Sequence, residues 1–205
     1  MASRILFITG TDTGVGKTIF AVLVTEHLCE RGFHVAALKP ICSGGRGDAR
    51  LLRDAAGRNL SIDEVNPWHF RAPLAPVLAA RKAKKRMRLR EVVAYIRRVA
   101  KRFEIVVVEG AGGLLSPLGE DFDSRDLIEK LSAMPIIVCP NKLGAVNQVR
   151  LAVSALPRAA AKQARIVLVN PRRLDPASRT NLELLKEFID SNRIRHLPWF
   201  RWKRR

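Results

Sequence analysis

The chain has 205 residues, 47% of them hydrophobic, with no uninterrupted apolar run of about 18 residues and no N-terminal leader, so we expect one cytoplasmic domain without a membrane span. Its three cysteines and four histidines show no disulfide or ligand spacing, which argues against a disulfide framework or a transition-metal site. The formal net charge of +18 comes mostly from two segments, Arg81 to Arg102 and Arg193 to Arg205, and such segments either bind polyanions or form solvated surfaces.

Short apolar runs alternate with helical patterns along the chain. The runs rich in β-branched residues, which predict buried strands, are Arg4 to Thr9, Val35 to Lys39, Ile105 to Glu109, Ile136 to Cys139 and Ile166 to Val169. The predicted helices are Lys17 to Arg31, Asp48 to Ala56, Leu89 to Arg102, Ser124 to Ser132, Asn147 to Leu156 and Ala177 to Ser191. Strand followed by helix, repeated, predicts a single-domain, doubly wound α/β fold with a mostly parallel sheet.

The basic segment from Arg81 to Arg102 contains a helical pattern. Apolar residues recur at spacings of three and four from Leu89 to Phe103, so the Lys and Arg residues fall on the outer face of an amphipathic helix. A solvated helix face is therefore the favoured interpretation, and binding of nucleic acid or of an anionic membrane stays open as the alternative. Just before it, Asn66 to Pro76 carries three prolines and predicts an ordered surface loop.

The stretch Gly10 to Thr18, GTDTGVGKT, resembles a phosphate-binding loop whose first glycine is displaced by one residue, since Thr11 stands where the usual pattern has glycine. It lies between a predicted strand and a predicted helix, which is the context that such a loop requires. Its backbone N–H groups and the helix start would hold phosphates, Lys17 would reach the terminal phosphates, and Thr18 would bind Mg²⁺. The nucleotide contacts predicted here are Gly14, Val15, Gly16, Lys17, Thr18 and Ile19.

Two further predicted strands end in residues suited to this chemistry. Glu109 ends one strand and is followed by Gly110, Ala111 and Gly112, where a backbone can approach a ligand closely. Lys39 ends another and is followed by Ser43, and Asp48 opens the next helix as a second carboxylate for a metal. Taken singly, Lys39 is also explained as a surface charge and Asp48 as a helix cap.

Together these motifs resemble the dethiobiotin synthetase family, an ATP-dependent enzyme family of biotin biosynthesis with a P-loop NTPase-like fold. GTDTGVGKT, KPICSGG, the helix-starting Asp48, NPWHF with APLAP, VVVEGAGGLLSPL and KLGAVNQVRL occur in the order and at spacings compatible with that family. The resemblance covers nearly the whole chain, and the T-D-T lead of the loop is a trait of the family. It implies that residues 1–205 form one ATP-dependent cyclo-ligase domain.

The reaction that the resemblance implies is a ring closure. The family converts 7,8-diaminononanoate, CO₂ and ATP into dethiobiotin, ADP and phosphate through a carbamate that the γ-phosphate activates as a mixed anhydride. Lys17 and Mg²⁺ would stabilise phosphate charge, Lys39 and Ser43 would hold the carbamate, and Thr13 would lie near it. The metal ligands that the resemblance implies are Thr18, Asp48 and Glu109.

The resemblance also implies two binding regions away from the phosphates. The nucleotide base would lie near Asn170, Pro171, Pro198, Trp199 and Phe200. The substrate's carboxylate tail would bind across a homodimer interface to Leu143, Gly144 and Asn147 of a neighbouring subunit. The sequence departs from the family pattern in a short connection from Ser43 to Asp48, in Pro171 after Asn170, and in an ending, WFRWKRR, without the usual final helix.

Two other classes of protein share parts of this pattern. Partitioning or septum-positioning ATPases have this fold and use basic surfaces on DNA or membrane, but their loop typically carries a signature lysine where this chain has Asp12. The ATP-binding domain of an amidoligase such as cobyrinic acid diamide synthase would need an additional glutaminase domain, for which 205 residues leave no room. Both are kept as alternatives to dethiobiotin synthesis.

Overall fold

Residues 3–200, the part of the chain that this computed structural model describes, contain eight strands, nine α-helices and one short 3₁₀ helix (Ser191–Arg193). The strands are β1 (Arg4–Gly10), β2 (Val35–Leu38), β3 (Ile41–Ser43), β4 (Trp68–Phe70), β5 (Ile105–Glu109), β6 (Met134–Pro140), β7 (Arg165–Val169) and β8 (Ile194–Leu197). The helices are α1 (Lys17–Glu30), α2 (Gly47–Ala55), α3 (Ile62–Val65), α4 (Pro76–Lys82), α5 (Leu89–Ala100), α6 (Ser124–Leu131), α7 (Ala145–Ala155), α8 (Arg158–Gln163) and α9 (Pro176–Lys186).

Six strands form one parallel sheet in the order β2-β5-β1-β6-β7-β8, and this sheet contains all five predicted strands. The register sets Arg4 of β1 opposite Ile105 of β5, and Ile8 opposite Glu109. Strands of this kind are covered on both faces, which is why they appear in the sequence as continuous apolar runs instead of alternating patterns. The predicted doubly wound α/β fold with a mostly parallel sheet is confirmed.

The core is divided by the sheet into two layers. Phe7 and Ile8, successive residues of β1, are fully buried on opposite faces. On the Ile8 side the sheet packs against α1 and α2. On the Phe7 side it packs against the layer that contains α5, α6, α7 and α8. Helices therefore cover both faces, as a parallel sheet built from strand–helix–strand units requires.

The strand order determines which loops meet. Because all six strands are parallel, their carboxyl ends lie along one edge of the sheet. β2, β5 and β1 are consecutive there, so Lys39, Glu109 and the loop that begins at Gly10 are brought side by side. The chain reverses its direction of winding at β1, and ligands of open α/β sheets bind at such a switch point.

Several elements differ from the predictions. β3 and β4 pair in a separate two-stranded parallel sheet, so the predicted surface loop from Asn66 to Pro76 contains a strand. β8 is a sixth strand of the main sheet, formed by a segment whose charged and polar residues, such as Arg195 and His196, hid it from a search for apolar runs. The helices α3, α4 and α8 were also missed, α7 begins before the predicted Asn147, and α9 ends well before the predicted Ser191. Within residues 3–200, no helix is both long and apolar enough to cross a membrane.

Candidate active site

The loop between β1 and α1 has the backbone of a phosphate-binding loop. Gly16 has φ 99°, a conformation that favours glycine, and no side chain caps the start of α1, so its first N–H groups are free for an anion. Lys17, the first residue of the helix, is buried, and its Nζ donates a hydrogen bond of 2.6 Å to the carbonyl oxygen of Asp12. The Lys17 ammonium therefore contacts the backbone of the same loop that is predicted to bind phosphate.

Glu109, at the end of β5, is the centre of the polar site. Its Oε1 atom accepts hydrogen bonds from Thr18 Oγ1 at 2.8 Å and from Lys39 Nζ at 2.5 Å. Lys39 Nζ also donates to the carbonyl oxygen of Gly110 at 3.0 Å and lies 3.7 Å from Asp48 Oδ2. Thr18 and Lys39, which lie 91 and 70 positions from Glu109 in the chain, therefore meet at its carboxylate, and Asp48 joins the site through Lys39.

The two lysines of the site titrate differently because their partners differ. Burial, followed by the positive charge of Lys39, lowers the pKa of Lys17 to about 8, against smaller opposing effects of Glu109, Asp12 and Asp48. Burial also acts to lower the pKa of Lys39, but its ion pair with Glu109 outweighs burial, so this pKa is raised above its ordinary value. Lys39 is therefore a permanent cation at neutral pH.

The residues present fit a magnesium ion. Glu109 Oε2 is buried and has no hydrogen-bond partner within residues 3–200, as expected for an oxygen that would bind a cation. Asp48 Oδ2, close to Lys39, and the Thr18 hydroxyl, bonded to Glu109, supply further hard oxygen atoms. Among residues 3–200 there is no cluster of three or more His, Cys, Asp or Glu residues that would hold a metal by themselves. Mg²⁺ keeps several waters and takes only one or two carboxylates together with substrate phosphates, a requirement that Glu109 and Asp48 meet.

A cleft of about 920 Å³ opens over these residues. The predicted site residues that line it are Thr13, Gly14, Gly16, Lys17, Thr18, Ile19, Lys39, Ser43, Asp48, Glu109, Ala111 and Gly112. Gly112 has φ 69°, and a Cβ atom there would lie 2.4 Å from Ser116 Oγ, so this position also requires glycine. Val15 and Gly110 are part of the same loops but do not line the cleft, because Val15 packs its side chain into the core and Gly110 lies close under Phe7 and Ser124.

The remaining predicted residues lie farther along the same edge of the sheet. Asn170 follows β7 and Pro198 follows β8, and the main-chain N–H of Asn170 donates to Leu197 at 2.9 Å. Val169 lies 3.6 Å from the position that a Cβ atom on Gly16 would occupy, so the end of β7 borders the phosphate loop. The predicted base-side residues, none of which lines the cleft, are Asn170, Pro171, Pro198, Trp199 and Phe200.

The predicted substrate-tail residues are exposed and outside the cleft of their own chain. Leu143, Gly144 and Asn147 lie at the start of α7, beyond β6, and none lines the 920 Å³ cleft. The side chain of Leu143 is 83% exposed, which is unusual for a large apolar residue. Their exposed position outside this cleft is compatible with a role toward a second subunit.

Sequence reasoning missed part of the cleft wall and its supports. The segment 73–76 of the predicted surface loop forms one wall, and Cys42 and Ser116 also line the cleft. Asn141, which is buried, donates a hydrogen bond of 2.8 Å to Asn170 Oδ1 and so fixes a predicted base-side residue. The APLAP motif was a signal for the wall, but the amide network around Asn141 had no signal in the sequence.

A phosphate-binding loop at the switch point of a parallel sheet, with a carboxylate and a second lysine beside it, defines a P-loop nucleotide-binding protein. A family model described as an AAA domain matches residues 4–201. In fold, the chain is similar to a ParA family ATPase from Chlorobium tepidum TLS, with TM-score 0.57, 14% identity, and coverage of 97% of this chain and 86% of that one.

Curated relatives identify the family more closely. The chain is 35% identical to the ATP-dependent dethiobiotin synthetase of Akkermansia muciniphila over 92% of this chain and 89% of that protein. It is 38% identical to that of Anaeromyxobacter dehalogenans strain 2CP-C, over 96% and 90%, and 37% identical to that of Bacillus subtilis, over 73% and 67%. The chain belongs to the ATP-dependent dethiobiotin synthetase family. The predicted family and enzyme class, an ATP-dependent ligase of biotin biosynthesis, are confirmed.

Proposed function

We propose that this chain closes the ureido ring of dethiobiotin from 7,8-diaminononanoate, CO₂ and ATP, with Lys39 and Lys17 as the cations that act on the reacting groups. The observation that carries this proposal is the convergence of Lys17, Lys39 and Glu109 on one cleft from three adjacent strands. Phosphoryl transfer depends on positioning and on charge stabilisation, and these three side chains provide both.

The first step joins one amine to CO₂. The amine nitrogen forms a bond to the carbon of CO₂ and loses a proton to solvent, which gives a carbamate anion. Lys39 pairs with this anion, because it is buried, permanently charged and at the floor of the cleft. The hydroxyl groups of Ser43 and Thr13 line the same cleft and donate hydrogen bonds to the carbamate oxygens.

The second step transfers the γ-phosphoryl group. A carbamate oxygen forms a bond to the γ-phosphorus while the bond to the β–γ bridging oxygen breaks, and ADP leaves. Lys17 and the backbone N–H groups of the phosphate loop stabilise the charge on the phosphate oxygens. Magnesium, held by Thr18, Asp48 and Glu109, would neutralise charge on the β- and γ-phosphates when bound. Lys17 must first exchange its bond to Asp12 for phosphate.

The third step closes the ring. The second amine attacks the carbamoyl carbon, the bond from that carbon to the phosphate oxygen breaks, and the amine loses its proton to solvent. Lys39 remains beside the leaving phosphate, whose charge it stabilises. The wall formed by residues 73–76 limits access of water to the mixed anhydride, which water would otherwise hydrolyse.

We further propose a homodimer in which the start of α7 completes the neighbouring site. The proposal is supported by the exposure of Leu143 and of Leu151, which is 62% exposed on the same helix. The N-cap of α7 is Gly144, without a side-chain cap. The N–H of Ala145 donates to Lys142 at 3.0 Å, so the later N–H groups of the first turn are proposed to bind the substrate's carboxylate. The base of ATP is proposed to lie along Asn170 and residues 198–200, beside the phosphate loop.

The defining experiment is a diamine-dependent assay. Purified protein with ATP, Mg²⁺, bicarbonate and 7,8-diaminononanoate is expected to release ADP and to form dethiobiotin, detected by mass spectrometry. Omission of the diamine is expected to reduce ADP release to background. ADP release that does not respond to the diamine and is stimulated instead by DNA or lipid vesicles would overturn the proposal and favour a partitioning-type ATPase.

We also propose that the reaction takes place in the cytoplasm. ATP is available there, and thiols such as those of the three free cysteines stay reduced.

A further inference from the structure

The proposed reaction steps assign no role to Asn66. It precedes β4 in the NPWHF motif, its side chain is buried, and only 1% of the residue is exposed. Its Nδ2 atom donates hydrogen bonds to the main-chain oxygens of Lys39 at 2.7 Å and of Pro40 at 3.4 Å. The preceding residue, Val65, accepts a hydrogen bond from the main-chain N–H of Lys39 at 3.0 Å. The backbone on both sides of Lys39 is therefore held by one short segment.

Arg46 holds the other side of Asn66. Its Nε donates to Asn66 Oδ1 at 3.1 Å, and one terminal nitrogen donates to the main-chain oxygens of Asn66 and Ile62, both at 2.9 Å. The other terminal nitrogen pairs with Asp63 at 2.8 Å. Three sides of the planar guanidinium are thus occupied, which fixes its orientation as lysine could not.

Arg46 connects this hydrogen-bond network to the helix that carries Asp48. Arg46 is the N-cap residue of α2, and Asp48 lies two residues later in the first turn of that helix. A continuous set of hydrogen bonds therefore runs from the Lys39 backbone through the Asn66 amide to the residue that starts the helix of Asp48. In the cleft, Lys39 Nζ and Asp48 Oδ2 lie 3.7 Å apart. Lys39 and Asp48 are therefore connected both through their side chains and through the hydrogen bonds of Asn66 and Arg46.

We propose that Asn66 and Arg46 are positioning residues that set the distance between Lys39, the carbamate-binding cation, and Asp48, the metal-side carboxylate. This inference rests on the proposed function of the cleft. The connection from Ser43 to Asp48 has only four intervening residues, so a single anchor at Arg46 restrains all of it. Catalytic geometry is sensitive to displacements of about 1 Å, which can lower the rate about a hundredfold.

The test compares Asn66→Ala with a matched control, Asn59→Ala. Asn59 also donates a side-chain hydrogen bond to a main-chain oxygen, that of Ala56 at 2.8 Å, but contacts neither Lys39 nor Arg46. Asn66→Ala is expected to lower kcat about 10- to 100-fold with the KM for ATP changed less than about threefold, and the control is expected to lower kcat less than about twofold. An equal loss in both variants would overturn the proposal.

A double-mutant cycle separates positioning from general destabilisation. If Asn66 acts through Asp48, the Asn66→Ala loss in kcat is expected to shrink to less than about threefold in an Asp48→Asn background. Losses that multiply independently would overturn the proposal. Arg46→Lys, which keeps the charge but loses the fork of donors, serves as the second variant if Asn66→Ala does not fold, and the same cycle applies to it.

A binding measurement tests the inference without relying on turnover. Mg²⁺ is expected to increase the affinity of the wild-type protein for ATP, and both Asp48→Asn and Asn66→Ala are expected to reduce this increase, with no further reduction in the double variant. Unchanged Mg²⁺ enhancement in Asn66→Ala would overturn the positioning role. A wild-type protein that shows the enhancement but no diamine-dependent turnover would instead contradict the proposed function.

Discussion

The ion pair between Lys39 and Glu109 links the predicted carbamate site to the predicted metal site at the scale of single residues. Lys39 and Thr18 both donate to the same Glu109 oxygen, whereas the second oxygen has no hydrogen-bond partner in the part of the chain that the structure describes. In the proposed site, a magnesium ion would bind that second oxygen without displacing Lys39 from the first. One carboxylate would thus orient the cation proposed to hold the carbamate and would still offer a ligand to the metal.

Replacement of Lys39 tests its role directly. Lys39→Gln is expected to lower kcat for dethiobiotin formation about a thousandfold, because removing a charged donor from a transition state typically costs 10²- to 10³-fold or more. The dissociation constant for ATP is expected to change less than about threefold, measured by isothermal titration calorimetry. Lys17→Gln is the comparison, since Lys17 would contact phosphate and its loss should weaken ATP binding. Equal losses of ATP binding in the two variants would show that Lys39 is a nucleotide ligand instead.

The lowered pKa of Lys17 predicts a pH dependence of nucleotide binding. Phosphate binds the ammonium form, so the affinity for ATP without divalent cation is expected to fall as pH rises through about 8, by up to about tenfold per pH unit. The fall ends at the higher pKa that Lys17 acquires in the complex. Arginine stays charged in this range, so Lys17→Arg is expected to bind ATP with no such fall. Titrations of a fluorescent ATP analogue between about pH 7 and 9.5 measure both; a flat wild-type profile would contradict the prediction.

At the scale of elements, α5 is an amphipathic helix with an apolar face in the core and a basic face in solvent. Its inner face buries Val92, Val93, Ile96 and Val99, each worth roughly 1.5 to 3 kcal/mol when fully removed from water. All eleven Lys and Arg residues between Arg81 and Arg102 are exposed, and those after Leu89 lie on the outer face, as the amphipathic pattern predicted. Arg102 forms an ion pair of 3.0 Å with Glu64, which joins the end of α5 to the short helix α3.

The start of α3 is held by a capping box, from which we predict a pH dependence of the free energy of unfolding. The main-chain N–H of Ser61 donates to the Glu64 carboxylate at 2.9 Å, and this bond, followed by the ion pair with Arg102, lowers the pKa of Glu64. The folded pKa is depressed, so the stabilisation is present above about pH 4.5 and is lost as pH falls through the folded pKa. Because the side chain is 41% exposed, we expect less than about 1 kcal/mol.

Glu64→Gln isolates that charge, since glutamine still accepts the bond from Ser61. The wild-type free energy of unfolding is expected to fall more than that of the variant between about pH 5 and 3, measured by urea titration. Glu91→Gln, another exposed acid of this region, is the control and is expected to follow the wild type. Parallel curves for wild type and Glu64→Gln would refute the contribution of the capping charge.

At the scale of the whole molecule, a shared active site predicts complementation between subunits. Lys39→Gln and Asn147→Ala proteins are each expected to be nearly inactive in diamine-dependent turnover at low substrate. If Asn147 serves the partner's cleft, mixed and re-equilibrated subunits would regain about a quarter of wild-type activity, because half of random dimers are mixed and each has one intact site. Failure of the mixture to exceed the sum of its parts, with mixed dimers demonstrated by mass spectrometry, would place Asn147 outside the active site.

The role of the exposed basic surface of residues 81–102 is a separate prediction. Arg90, Arg98 and Lys101 form no ion pair among residues 3–200. If this surface is only solvated, the triple change of these residues to Gln and the matched triple change of Arg158, Lys162 and Arg179 are expected to weaken single-stranded DNA binding equally. A loss at least tenfold larger for the first variant, in fluorescence anisotropy at about 50 mM salt, would instead identify a specific polyanion site.

Much of the site was predictable because its residues carry chemistry that the core does not need. Lys39 and Glu109 stand at the ends of apolar runs, where a charge has no packing role, Asp48 opens a helix, and the loop around Gly16 has a recognisable glycine pattern. The supports were not predictable. Asn66 and Asn141 look like ordinary polar residues, and only the structure shows that they are buried and bonded to main-chain oxygens of distant segments.

The sequence by itself determined the parallel strands of the sheet centre and the helices on its two faces, and it singled out the residues proposed as catalytic groups, because apolar periodicity and glycine spacing are local properties. Only the tertiary structure decided that β5 lies between β2 and β1, which brings Lys39 and Glu109 to 2.5 Å from each other. It also decided that β8 joins the sheet and that β3 pairs with β4. The physical reason is that strand order and edge pairing depend on hydrogen bonds between residues far apart in the chain, which leave no periodic trace in the sequence.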